Sequence, residues 1–229
     1  MFPGPRQNAG LDPVGAFTGS AEGLVPPDGD YIADISAGPS RATSRHWRTV
    51  LQGRAHALFV VANATFGLLY AVIVLDHHRR RIIHFEVTQS PRQAWLARQI
   101  TEAFPWDTAP RYLLRDRDTS YGQGFRDRVR IMGIEEVITA PRSPWQNPFV
   151  ERVIGSIRRE CLDHVIIINE RHLRRVLSSY FRYYHESRTH LSLNKDCPET
   201  RPILPPTAGK ILAVAQLGGL HHQYERRAA

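Results

Sequence analysis

Tyr112-Leu113-Leu114-Arg115-Asp116 decides the reading of this chain, together with Ser143-Pro144-Trp145-Gln146-Asn147-Pro148-Phe149-Val150-Glu151-Arg152. The first stretch is a short apolar run that closes on a carboxylate. The second announces a helix, with Asn147 as the capping residue and Pro148 at the first helical position. Asp116 therefore stands at the end of a strand and Glu151 in the first turn of a helix, with 34 residues between them. Carboxylates so placed can converge on one divalent cation. Magnesium favours such oxygens in octahedral geometry, and ions held this way position a nucleophile and screen charge in phosphoryl transfer. A third carboxylate would have to come from upstream, where the chain reads Ala57.

Outward from this pair the pattern alternates. Upstream, Leu58–Val61, Thr65–Asp76 and Arg81–Val87 are three β-branched and aromatic runs joined by short polar turns, an antiparallel meander. Ser90-Pro91 predicts a helix start, with the helix running to Phe104. After the strand ending at Asp116, Gly124–Met132 predicts a helix stopped by Gly133, and Glu136–Thr139 a strand. The Asn147-Pro148 helix runs to about Leu162. Asn169 caps a last helix to about His185, with Leu173, Val176, Leu177, Tyr180 and Phe181 on one face. Strands alternating with helices pair in parallel through right-handed crossovers. The expected fold is α/β: a mixed five-stranded sheet, three strands antiparallel and then parallel ones, flanked by helices on both faces.

The chain has 229 residues, enough for one sizeable core with tails, and no apolar run reaches a transmembrane length. Its two cysteines, Cys161 and Cys197, form no CxxC pair, which argues against a zinc ribbon or a disulfide framework. The net charge of +8 is unevenly placed: residues 1–45 carry three Arg against five acids, so the remainder is more basic than the total. A basic folded body behind an acidic Gly/Pro-rich leader suggests a polyanionic partner. The expected organisation is a leader without a fold of its own over 1–45, the folded core over 46–200, and a Pro-rich, then apolar, then basic tail over 201–229.

The whole set of motifs resembles the catalytic core of the DDE transposases of bacterial insertion sequences, relatives of retroviral integrases. Its carriers are Leu75-Asp76-His77-His78-Arg79-Arg80, Leu114-Arg115-Asp116-Arg117-Asp118 with Tyr121-Gly122 and Phe125, Ala140-Pro141-Arg142-Ser143-Pro144-Trp145-Gln146-Asn147 with Glu151-Arg152, and Tyr183-Tyr184-His185 with Arg188-Thr189-His190-Leu191-Ser192-Leu193. The resemblance runs from about Trp47 to Arg227. It implies an RNase H-like fold, two Mg²⁺ or Mn²⁺ ions, and DNA strand cleavage and strand transfer. Carried over residue by residue, the second and third metal-binding and catalytic carboxylates are Asp116 and Glu151. The position of the first Asp, counted back from Thr65-Phe66 and Leu68-Leu69-Tyr70, falls on Ala57, and the segment from Trp47 to Ala57 reads a few residues short. This copy is therefore expected to hold at most one cation, weakly, and to be impaired in strand transfer. The alternative is a non-catalytic DNA-binding and oligomerising remnant, and a more distant one is a nuclease acting on RNA–DNA hybrids.

The expected partners are DNA, as element ends and target, and a second copy of the chain or an intact transposase. No membrane partner is expected, and the expected location is cytoplasmic. Arg158 lies seven residues after Glu151, on the same helix face. With Arg152 and Arg159 it is a candidate for phosphate contact, and Trp145, Gln146 and Asn147 are candidates for stacking on DNA or wedging against it. Asp76 and Asp118 read as turn residues, the pairs His77-His78 and His221-His222 as surface histidines, and Tyr180, Tyr183 and Tyr184 as packing.

Overall fold

A computed structural model describes residues 53–228. The expected leader therefore lies outside the described residues. Strands β1 (Arg54–Ala62), β2 (Leu68–Asp76) and β3 (Arg81–Thr88) form the meander. Helix α1 (Gln93–Ala103), β4 (Tyr112–Arg115), helix α2 (Gln123–Ile131), β5 (Glu135–Ile138), helix α3 (Pro148–Glu160) and helix α4 (Glu170–Glu186) follow, and β6 (Lys210–Gln216) and β7 (His221–Arg227) close the chain. The first five strands make one sheet in the order β3-β2-β1-β4-β5. Its first two pairings are antiparallel and the pairings of β4 with β1 and β5 are parallel. This is the expected mixed sheet.

Period-2 alternation sorts the strands between two apolar layers. Ala55, Ala57, Phe59, Leu69, Ala71, Ile73, Leu75 and Leu114 face one way, onto Val150, Val153 and Ile157 of α3 and Leu173, Leu177 and Phe181 of α4. Val72, Val74 and Leu113 face the other way, onto Leu96 and Ile100 of α1 and Phe125 and Val129 of α2. Burial on both faces is why β2 reads as an unbroken apolar run rather than an alternating one.

Several boundaries differ from expectation. β1 runs from Arg54 to Ala62, so Leu58–Val61, read as a strand end, is its later part, preceded by the buried Ala55, His56 and Ala57; small residues and a histidine hide that start from a reading based on β-branched side chains. α1 begins two residues after Pro91, with Arg92 at the cap and no side-chain capping bond. Asn147 precedes α3 but makes no capping bond either. Asn169 does cap α4, its side chain accepting from the His172 amide at 2.9 Å. Gly133, at φ +72°, ends the α2 segment as a left-handed stop.

The tail carries a two-stranded antiparallel sheet, β6 with β7. It is tied to the core where the His221 ring stacks on Tyr183 at 4.5 Å and donates to the Glu160 carbonyl at 2.8 Å.

Candidate metal centre and nucleic-acid interface

Asp116 follows β4 directly, and the register puts Ala55 of β1 opposite Leu114 of β4. Ala57 and Asp116 each lie two residues beyond that pair, Ala57 still within β1 and Asp116 just past the end of β4. Ala57 and Leu114 lie on the face that packs against α3, since both share one apolar cluster with Val150. Glu151 lies in the first turn of α3. Of the three positions matched to the resemblance, Asp116 and Glu151 are near enough for the charge of one to act on the other, and the third is an alanine that is 5% exposed.

The electrostatics record this proximity. Partial burial raises the carboxyl pKa of Asp116, and Asp118 raises it further, opposed by backbone N–H donation and by Arg115. Glu151 is likewise raised, first by desolvation and then by the Asp116 charge. Two hard-oxygen groups that repel one another suit one Mg²⁺ or Mn²⁺ ion, which would relieve both. Among the described residues no three His, Cys, Asp or Glu side chains form a metal-binding group. Asp118 is used locally, accepting from the Ser120 amide at 2.7 Å. Asp76 accepts from the His78 amide and pairs with Arg54, both at 2.9 Å.

The candidate DNA contacts are dispersed. Trp145 is 53% exposed and stands free to touch a ligand. Gln146 is turned inward, its Oε1 accepting from the Ala140 amide at 2.7 Å. Asn147 is 3% exposed at the start of α3, which leaves its side chain little surface for a DNA contact. Arg158 is exposed, but its Nη2 donates to the Val60 carbonyl at 3.1 Å, which ties α3 to β1 and takes up part of its donor set. Arg159 is exposed at the helix end, and Arg152 is partly buried beside Phe149 and Tyr184. His77, read as a surface residue, is buried against Phe149 at 5.1 Å, and His221 is held as described above.

Sequence reasoning passed over a polar cluster behind the site. The fully buried His56 bonds through Nδ1 to the Tyr121 hydroxyl at 2.8 Å. The buried Arg115 donates from Nε to Glu136 at 2.6 Å and from Nη1 to the Asp116 carbonyl at 2.8 Å, and its guanidinium lies over the Tyr121 ring. Arg115 thus braces the backbone that carries Asp116. An arginine inside an otherwise apolar four-residue strand was the available signal.

Fold and site together define a class: an RNase H-like core with acidic groups at the end of its central parallel pair. The comparisons agree. Residues 132–198 match the family model described as Integrase core domain. The chain is 25% identical over 126 residues to an uncharacterized 39.2 kDa protein of insertion element IS476 from Xanthomonas euvesicatoria. That match covers 55% of this chain, and the chain spans only 36% of the relative's length. Among solved structures, the catalytic domain of the Mos1 mariner transposase aligns with TM-score 0.52 and 11% identity, covering 67% of this chain and 78% of that one. A chain of the simian T-cell lymphotropic virus intasome aligns with TM-score 0.51 and 15% identity, covering 75% and 66%. The magnesium-bound HTLV-2 integrase catalytic core in its dimeric form aligns with TM-score 0.50 and 9% identity, covering 64% and 92%. The described fold is that of integrase and transposase catalytic cores.

Proposed function

We propose that this chain is the core portion of an insertion-element transposase that docks on DNA and retains a two-carboxylate remnant of the metal centre. The observation that supports the reading is the electrostatic coupling of Asp116 and Glu151, with an alanine at the position where the resemblance expects a third acid. Asp116 and Glu151 would hold one Mg²⁺ or Mn²⁺ ion weakly. A bound ion would screen phosphate charge there. Arg115 holds the Asp116 backbone, and Val150 and Val153 seat α3 so that Glu151 faces the strand end. Without a third ligand, DNA cleavage and strand transfer fall by several orders of magnitude. DNA association rests on the exposed Trp145, Arg158 and Arg159, with Arg152 on the same helix. A second copy or an intact transposase is the expected protein partner.

The test pairs metal titration with a strand-transfer assay on the unaltered chain, on Ala57→Asp and on Asp116→Asn. β1 is continuously in register with β2 from Arg54 opposite Asp76 to Ala62 opposite Leu68, so position 57 sits in an unbroken strand where an aspartate can be tested. The unaltered chain should bind Mn²⁺ weakly and join no DNA. Ala57→Asp should tighten Mn²⁺ binding at least about tenfold, and Asp116→Asn should abolish it. Efficient magnesium-dependent joining by the unaltered chain would overturn the reading.

A further inference from the structure

A cleft of about 750 Å³ opens between the β6–β7 hairpin and the segment around 193–204, away from the carboxylates. Its walls combine two properties. Tyr224, Ile203 and Ile211 are exposed to 66%, 98% and 59%, so ring and branched apolar faces stand in solvent. Lys195, Arg201 and Arg226 line the same space. The cleft's acids are already compensated: Asp196 by Arg79 at 3.0 Å, and Glu225 by Arg227 at 2.6 Å. Among the described residues no ion pair engages Lys195, Arg201 or Arg226; Arg226 donates only to the Gly209 carbonyl. Three uncompensated cations around bare aromatic and aliphatic surface match a ligand with phosphates on one side and flat faces on the other.

We propose that this cleft binds an unpaired DNA strand, with bases laid on Tyr224 and the isoleucines and phosphates on the three cations. The proposal rests on the DNA reading above and adds a second, strand-selective site to it. A duplex offers its phosphates but hides its base faces, so exposed rings and methyls favour a single strand. The charge complementarity favours a polyanion over a second copy of this basic chain.

The experiment measures anisotropy of a labelled oligothymidylate of about 12 nucleotides, and of the matching duplex, on the full chain. Tyr224→Ala should weaken single-strand binding about tenfold and leave the duplex affinity unchanged. Tyr224→Phe, which keeps the ring, should restore it. Lys195→Glu with Arg201→Glu should lower the salt dependence by about 0.7 in log–log slope per lost phosphate contact. Melting curves establish that each variant is folded. Unchanged oligothymidylate affinity in Tyr224→Ala overturns the cleft while leaving the DNA reading standing. Loss of self-association in that variant, seen by light scattering, also overturns it and assigns the cleft to a second copy. A chain that binds neither oligonucleotide sinks both proposals.

Discussion

His56 and Ala57 are neighbours on β1 that face opposite layers, and each sets a property of the molecule. Burial first, then the charges of Arg115 and His84, lower the His56 pKa from 6.5 to about 3. The unfolded chain therefore takes up this proton more readily than the folded one. The stabilising contribution is complete above pH 6.5 and is lost as pH falls toward 3, by about 2 kcal/mol by about pH 5. His185, which accepts from the Ile82 amide, is also lowered by burial and adds to the same slope. Urea midpoints measured across this range should fall with acid, and His56→Phe should flatten the curve. An unaltered slope would assign the proton to another group. At this scale Asp116, Glu151 and the alanine at 57 could be nominated from the sequence because motif spacing survives in one dimension. His56 and Arg115 were not, since what makes them matter is a contact between residues 65 apart and a brace across parallel strands.

Helices α3 and α4 are held together by one clasp. Arg188, just past α4, grips the Glu160 carboxylate through Nε at 2.7 Å and Nη2 at 2.6 Å, and the Tyr180 hydroxyl adds a bond at 2.8 Å. Burial alone would raise the Glu160 carboxyl pKa, yet Arg188 and Tyr180 hold it below its ordinary value. Glu160 ends the helix that Glu151 begins, about 13 Å away along the axis. The Arg188-Thr189-His190 motif, noticed only as part of a resemblance, thus fixes the far end of the helix that carries a candidate ligand. Arg188→Ala leaves Glu160 half-buried and unpaired and should cost about 3 kcal/mol in urea unfolding. Arg188→Lys should recover little, because an ammonium cannot reproduce the two-pronged grip. A neutral result for Arg188→Ala would reduce the clasp to a surface ion pair. The elements themselves were read correctly where hydrophobic periodicity was strong, as in α4 and β2. The start of β1, made of small residues, left no signal to read, and the start of α1 was set too early because the helix begins without a capping side chain.

Across the whole molecule, the five-stranded sheet with helices on both faces followed from the order of strands and helices. The terminal hairpin did not, because β6 and β7 are exposed over most of their length and bury too little to print a pattern. Among the described residues no helix is long and apolar enough to cross a membrane. Cys161 and Cys197 are buried and unpaired, and burial pushes the Cys161 thiol up to about 11, so neither is poised for reaction at neutral pH. The alanine on the middle strand has a further effect on the field felt by an approaching polyanion. A three-acid centre repels phosphate until a cation arrives, whereas this face carries one negative charge fewer and sits on a basic body. Docking should therefore survive chelation: EDTA should shift duplex affinity less than about twofold, while added monovalent salt weakens it steeply. Installing aspartate at 57 should make the same docking chelator-sensitive, turning a magnesium-indifferent grip into one that waits for the ion.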